Sequence, residues 1–176
     1  MIYFIQNKLF AKTFQPIKIL KMKTANDWLS EYGESHKNET NKTIHWICVP
    51  LIFFSVVGLF YCLKLPAKIA QGLQLNVAMI LILSVTIYYF ILSRTIWFGM
   101  FLFGLICLGI CYSIENYTVI PLWLFCIVLF ILAWAGQFYG HKVEGAKPSF
   151  LKDIQFLMIG PMWLMSFIYK KLRIRF

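Results

Sequence analysis

Charged side chains are scarce in this sequence. They make up 14% of its 176 residues, where a soluble domain carries about a quarter. Acids are scarcer still, seven against 17 basic residues, and histidine occurs three times. No internal repeat, low-complexity tract, glycine-rich phosphate loop or nucleophile elbow is present. Nucleotide-dependent chemistry and serine-type hydrolysis therefore have no motif to rest on. The five cysteines (Cys48, Cys62, Cys107, Cys111 and Cys126) form no CxxC pair and lie inside apolar runs, which excludes a secreted disulfide framework. Cys107 and Cys111 share a helix face at i, i+4 and can suit a soft metal, but buried small hydrophobes are the simpler reading. Ionisable residues are also missing from the middle of the apolar runs, Arg94 and Glu115 falling in the expected links. That argues against a solute carrier, whose sites are usually built there.

What is present is apolar: 60% of the chain, with 17 Phe and six Trp. Such a composition points to an all-α integral membrane protein forming one compact unit. The net charge of +10 sits outside the apolar runs. It is read as attraction to anionic headgroups and as an orientation signal, not as a nucleic-acid surface. Residues 1–23 form a basic amphipathic N-terminal extension without an acid. Lys8 and Lys12 interrupt any signal-peptide core, and Met22 opens a more natural-looking start. Residues 24–176 are read as a single membrane-embedded domain.

From Thr24 to about Ser35 the pattern predicts a short helix, with Asn26 as its cap and Trp28, Leu29 and Tyr32 as its apolar stripe. "HKNET" breaks it, and Thr40 or Asn41 is expected to cap the next helix. Four apolar runs follow, at about Ile44–Leu63, Leu75–Leu92, Thr95–Ile114 and Val119–Phe138. Each is near the ~20 residues needed to cross a bilayer. Their links are short, so consecutive helices are expected to be antiparallel neighbours. A fifth run, Ile154–Tyr169, carries Gly160–Pro161 and is expected to be kinked or re-entrant. The expectation is thus about four transmembrane helices plus that C-terminal apolar segment.

His36 and His45 lie before and at the start of the first run, and His141 lies just past the fourth. Four crossings return the chain to its starting face, so all three histidines converge there. Basic residues favour that face: seven precede His45, one lies in the second link, three are near His141 and four are at the C-terminus. The opposite links carry two and none. The histidine face is therefore expected to be cytoplasmic. Glu144 follows His141 at i+3. Asn38, Asn41 and Gln137 can fix imidazole tautomers. Three neutral imidazoles, with or without a carboxylate, suit Fe(II), Zn or Mn.

Two stretches carry a family resemblance. In the first, Tyr32, His36, Asn41, His45, Trp46 and Pro50 keep a Y-x3-H-x4-N-x3-H-W-x3-P spacing. In the second, Gln137, Phe138, Gly140, His141, Glu144, Pro148, Gly160 and Pro161 follow a pattern of Q-F-x-G-H, an acid, a proline, then L-x-G-P. The sequence resembles the fungal 2-hydroxy fatty acid dioxygenase and its bacterial membrane relatives over residues 27–170. The resemblance implies an Fe(II)-dependent enzyme that uses O2 to shorten long-chain 2-hydroxy fatty acids by one carbon at the membrane interface. His36, His45 and His141 would be the metal ligands and Glu144 a fourth ligand or a supporting group. Tyr32, Asn38, Asn41, Gln137 and Lys142 would serve substrate or ligands, with Lys37 or Lys42 further choices for the substrate carboxylate. A bacterial inner membrane, or the endoplasmic reticulum of a eukaryote, is the implied location. Two other readings stay open on the residues alone: a zinc-dependent membrane lipid hydrolase, and a non-enzymatic carrier or scaffold.

Overall fold

The computed structural model describes residues 23–70, 73–145 and 150–176, residues 150–155 by their helical path alone. The N-terminal extension, with Lys8 and Lys12, and Pro148 of the second motif lie outside these residues. Six helices make up the described body: α1 (Ala25–Glu34), α2 (Glu39–Tyr61), α3 (Val77–Leu92), α4 (Ile96–Tyr117), α5 (Leu122–Glu144) and α6 (Phe150–Lys171). Between α2 and α3, strands β1 (Lys64–Ala70) and β2 (Leu73–Asn76) pair antiparallel. The expected plain link is therefore a short β-ribbon. Lys64 of β1 pairs with Glu115 at 2.8 Å, tying the ribbon to α4. Glu115 lies within α4, not in a link as its flanking polar residues suggested.

Three helices, α2, α4 and α5, are long and apolar enough to cross a membrane. The fourth expected crossing, α3, is equally apolar but has 16 residues. At about 1.5 Å per residue it is shorter than the ~30 Å of a typical hydrocarbon core. Asn76 sets its start, its side chain accepting from the Met79 amide at 3.2 Å, because the residues before it belong to the ribbon.

The caps differ from expectation. Thr24, not Asn26, caps α1: its hydroxyl accepts from the Asp27 amide, and Asp27 reaches back to the Thr24 amide at 2.8 Å. An acid three residues after a threonine closes a capping box, and Asn26 then falls inside the first turn. Asn38, not Thr40 or Asn41, caps α2, accepting from the amides of both.

The last helix is continuous through Gly160–Pro161. Its contacts lie with the ends of the other helices that face the histidines. Tyr89, near the end of α3, donates to the Met158 carbonyl. Tyr169 donates to the Thr95 carbonyl at 3.2 Å and accepts from the Gly99 amide at 3.0 Å, at the start of α4. Phe167 lies against Trp46 near the start of α2. So α6 lies across one end of the bundle. Gly160 lets α1 approach it, since a Cβ there would come within 3.1 Å of the Tyr32 hydroxyl. Beneath α6 sits one buried cluster, including Tyr32, Val49, Tyr89, Ile96, Met100 and Met162. A second, including Phe53, Val57, Tyr61, Cys107, Cys111 and Cys126, fills the far half. The cysteines are free, and Cys107 and Cys111 are packed as small hydrophobes.

After Lys171 the chain turns back on itself. Arg173 takes φ 58°, its amide donates to the Lys170 carbonyl at 3.1 Å, and the Ile174 amide donates to Tyr169 at 2.9 Å. This is a Schellman turn. Glycine normally occupies that left-handed position, and a side-chain-bearing residue there costs about 1–2 kcal/mol. The turn brings Phe176 against Tyr169.

Candidate metal centre

Three elements deliver the histidines. His36 follows the C-cap of α1, His45 lies on the second turn of α2, and His141 lies on the last turn of α5. A carboxy-terminal turn of one long helix thus meets the amino-terminal turn of its antiparallel neighbour. One ligand atom from each histidine lies within 4.8 Å of the others. His36 and His45 are almost wholly buried, and His141 is half-buried.

The proton positions follow from their partners. The His36 Nδ1 faces the Tyr32 carbonyl at 2.6 Å, and the His45 Nδ1 faces the Asn41 carbonyl at 2.9 Å. A carbonyl can only accept, so each Nδ1 carries the proton and, in neutral imidazole, each Nε2 is bare. Those two Nε2 atoms face one another at 2.9 Å. Two lone pairs at that distance repel unless a cation sits between them. A shared proton would have to make one ring an imidazolium. Burial opposes this: it pushes His36 down from 6.5 to about 4, with His141 adding to the effect and the Tyr32 carbonyl and Glu144 working against it. At neutral pH a metal ion is a charge that can fill the gap. Neutral imidazoles with carbonyl-fixed tautomers are the donor set that divalent transition metals take.

Tyr32 stacks on the His36 ring, 4.1 Å between centroids and 11° from parallel. Trp163 of α6 stands beside the stacked pair, 5.4 Å from His36 and 5.3 Å from Tyr32. Neither Trp163 nor Ser35, whose hydroxyl lies 3.2 Å from the His36 Nδ1, was singled out in the sequence. The one signal for Trp163 was its position two residues after Pro161.

Glu144 is turned away from the imidazoles. Its carboxylate accepts from the backbone amides of Lys37 at 2.9 Å and Asn38 at 3.0 Å, and from the Asn41 side chain at 3.0 Å. It clamps the α1–α2 junction onto the end of α5. Asn41 is fully buried and occupied by this clamp, so its backbone, not its side chain, fixes a tautomer. Asn38 caps α2 instead of touching a histidine. Gln137, one turn below His141, is buried, and its amide makes no hydrogen bond among the described residues. Lys142 and Lys37 extend from the exposed rim, and Lys42 pairs with Glu39 at 2.8 Å. At Gly140 a Cβ would come within 2.5 Å of the Asn41 Oδ1. Glycine here sets how closely α5 and α2 pack, and hence the gap between His141 and His45.

A family model described as "2-hydroxy-palmitic acid dioxygenase Mpo1-like" matches residues 22–172, and the chain belongs to that family. No curated protein and no solved structure matches it.

Proposed function

We propose, taking family membership as the premise, that this protein is a membrane-embedded, Fe(II)-dependent dioxygenase that shortens long-chain 2-hydroxy fatty acids by one carbon. The observation that carries the metal is the facing pair of bare nitrogens on His36 and His45. His36, His45 and His141 would hold the ion, leaving positions for substrate and O2. Bound iron supplies the redox chemistry towards O2 that zinc, with one oxidation state, lacks. For 2-hydroxypalmitate the balance is one O2 consumed and pentadecanoate, carbon dioxide and water formed.

The chain's own residues position and shield. Tyr32 and Trp163 hold the His36 ring in its plane and exclude water from it. Asn38, Asn41 and Glu144 fix the junction that carries both buried histidines. Gln137 lies deeper than His141, where its amide can meet the polar head of an acyl ligand. Lys142 stands at the rim, where it can draw in a carboxylate. The 2-hydroxy acid itself offers a hydroxyl and a carboxylate on adjacent carbons, a natural chelating pair. Four apolar helices would cross the membrane, with α3 as a short crossing and α6 in the interface. The basic flanks would place the histidine face in the cytoplasm, in a bacterial inner membrane or the endoplasmic reticulum.

The test is purified protein in detergent with Fe(II), ascorbate and 2-hydroxypalmitate, with the product identified by mass. Pentadecanoate should form, should need O2, and should vanish in His45→Ala along with most of the bound metal. Folded, iron-loaded protein that leaves 2-hydroxy acids of several lengths unchanged would sink the reading. Stoichiometric zinc with O2-independent lipid cleavage would favour a hydrolase.

A further inference from the structure

Outside the metal centre, a groove of about 660 Å³ runs between α1, the second half of α6 and the returned C-terminal tail. Its volume is in the range of small-molecule sites. Leu29, Trp163, Phe167 and Phe176 supply apolar walls, and Lys170 and Arg175 supply the charge; no acid among the described residues lines it. Both cations are exposed, and neither forms an ion pair among the described residues. The groove exists because the Schellman turn at Arg173 folds Arg175 and Phe176 back beside α6. It is separated from the metal centre by a single side chain, since Trp163 lines the groove and stands 5.4 Å from the His36 ring.

An apolar trough with two cations that meet no acid among the described residues is complementary to an amphiphile with an anionic head. We propose that this groove is a second lipid site that binds a free long-chain fatty acid, Lys170 and Arg175 holding its carboxylate and the four apolar side chains holding the start of its chain. The choice of a fatty acid over another anionic amphiphile rests on the reading of the neighbouring centre as one that consumes and releases such acids. The two sites differ in what they require. Chelation at a metal needs the 2-hydroxyl, whereas the groove needs only carboxylate and chain. It therefore takes substrate and shortened product alike and keeps long-chain acid beside the centre. A charge-assisted contact is also geometrically tolerant at a lysine, which suits a mobile lipid head more than a fixed reacting group.

The probe is a palmitic acid analogue with a photoreactive diazirine near its carboxylate and no 2-hydroxyl. It is applied to the full chain in nanodiscs of zwitterionic lipid, with and without metal, and the labelled residues are mapped by mass. Labelling is expected within residues 163–176, equal in both preparations, and displaced by palmitate but not by methyl palmitate. K170Q/R175Q should lower it by at least about tenfold, as for loss of hydrogen bonds to a charged group, and K170R/R175K should keep it. K171Q/R173Q removes the same charge beside the groove and should leave labelling unchanged. Equal labelling of K170Q/R175Q, equal competition by the methyl ester, or label mapped elsewhere would overturn the proposal. So would displacement by phosphatidylglycerol in place of palmitate, which would make this a phospholipid site. Because the probe lacks the 2-hydroxyl of the chelating pair and the metal-free protein is included, a failed oxygenase assay leaves this result standing, and the reverse also holds.

Discussion

At the residue scale, both buried histidines are aimed by carbonyls, and burial favours the neutral form of His36. For the metal-free protein this has a pH consequence. His36 in the folded chain titrates near 4, and an unfolded histidine near 6.5. Between those values the unfolded chain binds the proton and the folded chain does not, so stability falls as pH drops through that window and levels off below it. Thermal unfolding of metal-free protein from pH 7.5 to 4 should show this slope, and His36→Asn should flatten it. Glu144 makes a separate prediction. Glu144→Ala removes the clamp and leaves the three proposed histidine ligands, and should weaken metal binding or activity by about 10–100-fold, less than loss of a histidine. Metal titration of the two variants side by side checks the order. The three histidines were legible in the sequence because there are no others and their spacing brings them to one face. The tautomer-fixing groups were not, because they are backbone carbonyls of Tyr32 and Asn41, which no side-chain identity announces. The same holds for Glu144: its i+3 spacing from His141 suggested a shared site, while its bonds go to amides of the α1–α2 junction.

At the scale of elements, the centre depends on how closely α5 approaches α2. Gly140→Ala would drive a methyl into the Asn41 amide and should cost about 1–3 kcal/mol, as overpacking does. Because Asn41 also carries the carbonyl that orients His45, metal affinity should fall with it. Thermal unfolding and metal titration in detergent read the two effects. The tail offers the opposite sign. Arg173→Gly relieves the left-handed strain and should stabilise by about 1 kcal/mol, while Arg173→Val should release the tail, seen as faster amide exchange at residues 174–176. The helix boundaries show why local patterns misplace caps. Asn26 and Thr40 are good capping residues, but Thr24 had the acid needed for a box, and Asn38 stood two residues ahead of Thr40 and three ahead of Asn41. The ribbon after α2 was hidden because "KLPAKIA" and "LQLN" are short and carry only moderate β signal between two strongly apolar runs.

At the scale of the whole molecule, the run lengths predict an even number of crossings between His45 and His141, which requires the two to meet at one end of the bundle, and there they do meet. The course of α6 was not readable in this way, since hydropathy cannot tell a helix that crosses from one that lies across the bundle end. Labelling of single cysteines tests the arrangement. Lys37→Cys and Lys142→Cys are expected to react from one side of the membrane and Lys68→Cys, in the ribbon, from the other. Reaction of Lys37→Cys and Lys142→Cys from opposite sides would contradict a shared centre. The order in which the proposed ligands occur along the chain bears on biogenesis. His36 and His45 leave the ribosome early, whereas His141 emerges only with the last turn of α5. A nascent chain synthesised only through α4 therefore lacks one proposed ligand and the Glu144 clamp that seats the other two. Capture of the proposed iron must wait until insertion is nearly complete, so a stalled or truncated chain would not become a loose source of oxygen radicals in the membrane.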